Sequence, residues 1–132
     1  MILDFDLVIP PGTTQAEPAS VDCQLTHGLL TEARVYFPPG CATLVHVVVK
    51  DGLHQLVPAN TDGTMNFDDA LITSKLKHEL TDAPHILTVY GWSPAAIYEH
   101  TITIQFELEP LDGQTYQDLM TKLIEEVNQP SE

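Results

Sequence analysis

The stretch Tyr98-Glu-His-Thr-Ile-Thr-Ile-Gln-Phe-Glu-Leu-Glu-Pro110 decides the fold class. Tyr98, His100, Ile102, Ile104, Phe106 and Leu108 fall on one side of a two-residue period. Glu99, Thr101, Thr103, Gln105, Glu107 and Glu109 fall on the other. A helix would scatter these two sets around its axis, whereas an extended chain sends successive side chains to opposite faces. The segment therefore predicts a half-buried strand, and its β-branched residues suit a pleated surface.

The same period appears at the start of the chain. Leu3, Phe5, Leu7 and Ile9 alternate with Asp4, Asp6 and Val8. Pro10-Pro11-Gly12 then ends the run, because neither proline has an N–H to give a ladder. Further strands are expected over residues 21–25 and 29–37, the second closed by Pro38-Pro39-Gly40. Residues 42–50 read as a central strand, since Val45, Val47, Val48 and Val49 leave little room for a wet face. Asp51-Gly52 has the chemistry of a two-residue hairpin turn leading into residues 53–57. Residues 58–69 are rich in Asn, Asp, Gly and Pro and predict an exposed loop. Residues 70–73, 75–80 and 84–92 are the remaining strand candidates.

Eight to ten short strands, with turns about every ten residues, predict a mainly β chain. No long helix lies between them to carry a parallel crossover, so the arrangement is an antiparallel β-sandwich, jelly-roll or immunoglobulin-like. The period changes after Leu111-Asp112-Gly113-Gln114. Tyr116, Leu119, Met120, Leu123, Ile124 and Val127 fall at i, i+3, i+4, i+7, i+8 and i+11, one stripe of an amphipathic α-helix. Thr115 is its N-cap candidate, with Asp118 three residues on. The expected organisation is a sandwich over residues 1–110 with a C-terminal helical extension over 111–132. A helix that short is marginal alone in water and must dock. Its stripe is thus a candidate contact with the parent sandwich or with another subunit.

Charge narrows the partners. Nineteen acidic residues against five basic ones give a formal net charge of −14. Phosphate backbones and anionic membrane surfaces both need Lys and Arg, so nucleic acid and membrane are excluded as expected partners. The N-terminal run carries Asp4 and Asp6 and lacks a basic flank, unlike a signal peptide. No apolar run approaches the ~20 residues of a membrane span. The expected location is the cytoplasm, or an assembled particle. Cys23 and Cys41 lack metal-ligand spacing and read as buried free thiols.

The six histidines form no metal motif, and His46 and His100 read as core-edge residues bonded to a neighbour. Asn60, Asp62, Asn66, Asp68 and Asp69 offer calcium-type oxygens, but not at EF-hand spacing. Tyr36, Tyr90, Trp92 and Tyr98 are aromatics able to form a sugar platform, the last three being the ligand candidates; cross-strand packing is the plainer reading. No nucleophile elbow or phosphate-cradling loop occurs. The expectation is a protein that is not an enzyme and needs no cofactor or metal.

Three stretches together resemble a known group. They are Phe37-Pro-Pro-Gly-Cys41 running into Leu44-Val-His-Val47, then Gln55-x-x-Pro58, then Tyr98-x-His-Thr-Ile-x-Ile104. They resemble short β-sandwich proteins found among the structural genes of tailed phages and similar viruses, over residues 29–108. The resemblance implies a virion component, such as a capsid decoration protein or a head or tail accessory piece. It implies partners that are copies of the chain itself and a larger capsid or tail. It carries over no catalytic or binding residue. Beside it stands a different class of expectation, a monomeric β-sandwich module binding carbohydrate or calcium.

Overall fold

The computed structural model describes residues 1–110. Eight strands follow one another: β1 (Ile2–Ile9), β2 (Ala19–Gln24), β3 (Gly28–Phe37), β4 (His46–Asp51), β5 (His54–Val57), β6 (Ala70–Leu80), β7 (Ile86–Trp92) and β8 (His100–Glu109). They form two four-stranded sheets, in the orders β1-β8-β3-β6 and β2-β7-β4-β5. Every pairing is antiparallel. The pairs β1–β8, β2–β7, β3–β6 and β4–β5 are nested, as if one long hairpin had been rolled up. The chain is thus mainly β, with two antiparallel sheets packed face to face. The expected helix stripe, Tyr116 to Val127, lies outside the described residues.

Alternation builds the core. Leu7 and Ile9 of β1, Val35 and Phe37 of β3, and Ile102, Ile104 and Phe106 of β8 all point inward and are buried. They meet Cys23, Val47, Val49, Leu87 and Val89 from the other sheet. Phe5 and Phe106 are tilted with ring centroids 6.0 Å apart. Removing each large apolar side chain from water contributes ~1.5–3 kcal/mol, which is why the two-residue period dictates which face turns inward.

Several boundaries differ from the sequence expectation for local reasons. Strand β8 begins at His100, and Tyr98 precedes it in a loop, 69% exposed. Strand β4 begins at His46 because Ala42 and Thr43 adopt positive φ, 50° and 60°, which is incompatible with a strand. The two short segments expected across residues 70–80 are one edge strand, β6. Ser74 and His78 take half-buried positions on it, so polar residues mask the alternation. The β4–β5 turn is one residue later than expected. Asp51 pairs with His54, and Gly52, at φ 60°, takes the first position of a turn that needs positive φ there.

Strand direction alternates along the whole chain, so alternate connections gather at opposite ends. Short turns over residues 25–27, 52–53 and 81–85 lie at one end, and longer loops over 10–18, 38–45, 58–69 and 93–99 lie at the other. Two ties order the long-loop end. The buried Ser93 donates its N–H to the carbonyl of Thr13 (2.9 Å), and its own carbonyl accepts from Gly12 N–H (3.2 Å). The carboxylate of Asp68 accepts from the N–H groups of Gly40 (3.0 Å) and Ala42 (2.8 Å).

Candidate functional site

The outer face of the β2-β7-β4-β5 sheet carries a groove. Because Leu87, Val89 and Gly91 of β7 face the core, Tyr90 and Trp92 must face out. On β4 the inward Val47 and Val49 leave Val48 and Lys50 outward. These four side chains form a floor. Gln15 and Pro18 wall one side, and residues 61–64 wall the other, around a volume of about 440 Å³.

The floor is held in place. The Lys50 ammonium lies over the Tyr90 ring, 5.6 Å from its centroid. The His46 ring stacks on Trp92 with centroids 5.8 Å apart and planes 10° from parallel. Its Nδ1 is 2.9 Å from the Thr64 hydroxyl. Burial pushes His46 below its ordinary value of 6.5, because the imidazolium would lose its water. At neutral pH the ring beside Trp92 is therefore uncharged.

Gln55 shapes the second wall. It is buried, and its Nε2 lies 2.9 Å from the carbonyl of Pro58 and 3.0 Å from those of Asn60 and Gly63, so its two hydrogens serve three acceptors with one of them shared. One amide thus collects three carbonyls that would otherwise need water. Beyond them Met65 bridges to Val47 through two backbone hydrogen bonds of 2.9 and 3.0 Å, and is buried. The segment expected to be an exposed loop is a loop, exposed over residues 59–62 and 67–69, and it is tied to β4 through the buried Met65. Its carbonyls are turned toward an amide nitrogen, and Asp68 is engaged by backbone N–H groups. Among the described residues, no three His, Cys, Asp or Glu side chains are grouped to hold a metal ion.

Of the three ligand aromatics, the structure brings Tyr90 and Trp92 together. Tyr98 is not with them; it sits in the 93–99 loop. Tyr36 is on the other sheet, opposite Leu71 and Thr103. The groove's polar wall went unread in the sequence, because Gln55, Thr61 and Thr64 belong to no motif. The one signal was Gln55 preceding a turn-rich segment that needs internal partners.

Both cysteines are free and buried. Cys41 Sγ lies 3.8 Å from His100 Nδ1. Burial, aided by Asp68, pushes its thiol up, and burial pushes Cys23 to about 12. Neither is a thiolate at neutral pH, so the pair lacks the activated nucleophile that Cys–His chemistry requires. His46 sits at the core edge against Thr64 and Trp92, and His100 sits there beside Cys41.

No protein-family model matches this chain, and no curated protein matches it.

Proposed function

We propose that this chain is a non-enzymatic assembly protein, a jelly-roll subunit that acts through contacts with copies of itself and with a larger protein particle. The nested strand pairing supports the jelly-roll reading over an immunoglobulin-like one. The resemblance over residues 29–108 supports a virion role, as a capsid decoration or head or tail accessory protein. The location would then be the virion if the source is viral, and otherwise the cytoplasm.

The observation that carries the proposal is where apolar surface is left. The large apolar side chains exposed among the described residues are Met1, Ile2, Val8, Tyr36, Leu44, Leu53, Phe67, Leu71, Ile97 and Tyr98. All but Met1, Ile2 and Leu53 belong to the long-loop end or to strand ends beside it. Ile97 is 78% and Tyr98 69% exposed on one loop. Apolar surface gathered in one region marks a contact surface, whereas scattered residues do not. A closed oligomer would bury it.

Light scattering on the intact chain tests this. The expected result is a defined oligomer that falls to monomer in the Ile97→Asp, Tyr98→Asp double variant with unchanged thermal unfolding of the subunit. A strictly monomeric intact chain at high concentration sinks the proposal. A chain ending at Pro110 separates the two contact candidates. If it alone becomes monomeric, the contact belongs to the stripe of Tyr116, Leu119, Met120, Leu123, Ile124 and Val127.

A further inference from the structure

The groove on the β2-β7-β4-β5 sheet is lined by neither Ile97 nor Tyr98 and is left unused by an assembly role. We infer that it is a binding site for a neutral saccharide of one or two sugar units. This goes beyond the assembly reading and does not depend on it.

The size of the groove, about 440 Å³, falls within the roughly 300–1,000 Å³ range of small-molecule sites. Its chemistry then selects the ligand. The lining offers one cation, Lys50, and one anion, Asp62, with the Gln15 amide and the hydroxyls of Thr61, Thr64 and Tyr90 between them. Among the described residues Lys50 makes no ion pair. Its ammonium is held over Tyr90 instead, with donors to spare. A metal or organic cation would meet that ammonium. An anion would have to approach a chain of net charge −14 and pass Asp62. A neutral polyol avoids both costs and can use donors and acceptors together.

The apolar part of the floor fits the same class. The half-buried Tyr90, backed by the buried Val48 and Trp92, gives an apolar patch for the C–H face of a sugar ring, while the polar wall meets its hydroxyls. The site is also set before any ligand arrives. Gln55 fixes the wall, and the His46 ring stacks on Trp92 from the neighbouring strand, which lowers the ordering cost of binding.

Trp92 is the only tryptophan in the sequence, so its emission reports this groove alone. The test is titration of the full chain with glucose, galactose, mannose and N-acetylglucosamine. The expected result is a saturable change with at least one of them, weakened about tenfold or more in Lys50→Ala and in Asp62→Ala, as loss of a hydrogen bond to a charged group implies. Asp62 is exposed in a loop, so its variant still decides the matter if Lys50→Ala does not fold. No response to any of the four sugars overturns the inference. So does a response at full strength in both variants, or preferential binding of glucuronate or glucosamine.

Discussion

At the scale of single residues, two polar side chains have consequences out of proportion to their number. Gln55 is the first. Its amide holds three carbonyls of the groove wall, and leaving buried groups unsatisfied costs ~1–3 kcal/mol. Gln55→Ala is expected to lower stability by about that amount. It should also speed amide exchange over residues 61–65 more than elsewhere, measured by hydrogen exchange. Uniform exchange with unchanged stability would show that the wall stands without it. Glu32 is the second. It is buried and directly opposite Glu107, a pairing that like charges disfavour. Arg34 pairs with both carboxylates, and Lys75 pairs with Glu32. The Lys75 hydrogen bond, helped by the nearby positive charges against the loss of water, holds the Glu32 carboxyl below its ordinary value of 4.5. A carboxyl whose folded value is depressed stabilises the fold above its unfolded value and loses that contribution as pH falls through the folded one. Urea midpoints should therefore drop below about pH 4.5, and Glu32→Gln should flatten that drop. Parallel curves for the two proteins would remove Glu32 from the account.

At the scale of elements, strand β7 does two jobs at once. Its outward residues floor the groove, and its inward Gly91 lies beneath β1. A Cβ on Gly91 would run into Ile9 Cδ1 and come within 2.9 Å of Leu7 Cδ2. Overpacking of this kind costs ~1–3 kcal/mol. Gly91→Ala should destabilise by about that amount, and Ile9→Val should recover part of it. Thermal unfolding of both single variants and the double variant measures the coupling, and strictly additive losses would mean that the strands simply move apart. Strands of this kind were legible because each position on one face repays burial, as Ile102, Ile104 and Phe106 show. The same logic failed on β6. There Ser74 and His78 occupy half-buried edge positions where an apolar residue is not demanded. It failed at Tyr98 because the period runs on past the last ladder hydrogen bond. The groove was half legible. Period two assigns Tyr90 and Trp92 to one face, but it cannot say that residues 61–64 fold over beside them, since that depends on the Gln55 amide.

At the scale of the whole molecule, pairing order was beyond the sequence because a half-buried strand says which face it hides and not which neighbour it takes. The nested order then places every long loop at one end, and with them Leu44, Phe67, Ile97 and Tyr98. Against that apolar end stands a net charge of −14. Any two copies brought together repel, and the repulsion reaches as far as salt allows. The Debye length is ~30 Å at 0.01 M and ~8 Å at 0.15 M ionic strength. If apolar burial drives association, the apolar contribution changes little over that range while the repulsion shrinks. Self-association should therefore strengthen from low to physiological salt, read as a rise in weight-average mass by light scattering at fixed protein concentration. An interface built instead on ion pairs between copies would weaken over the same range, because its attraction is what salt screens. With only five basic residues in the chain, and with Arg34 and Lys75 already paired to Glu32, few cations remain to build such an interface. A fall in mass with added salt would accordingly count against both the loop-end contact and the proposal that rests on it.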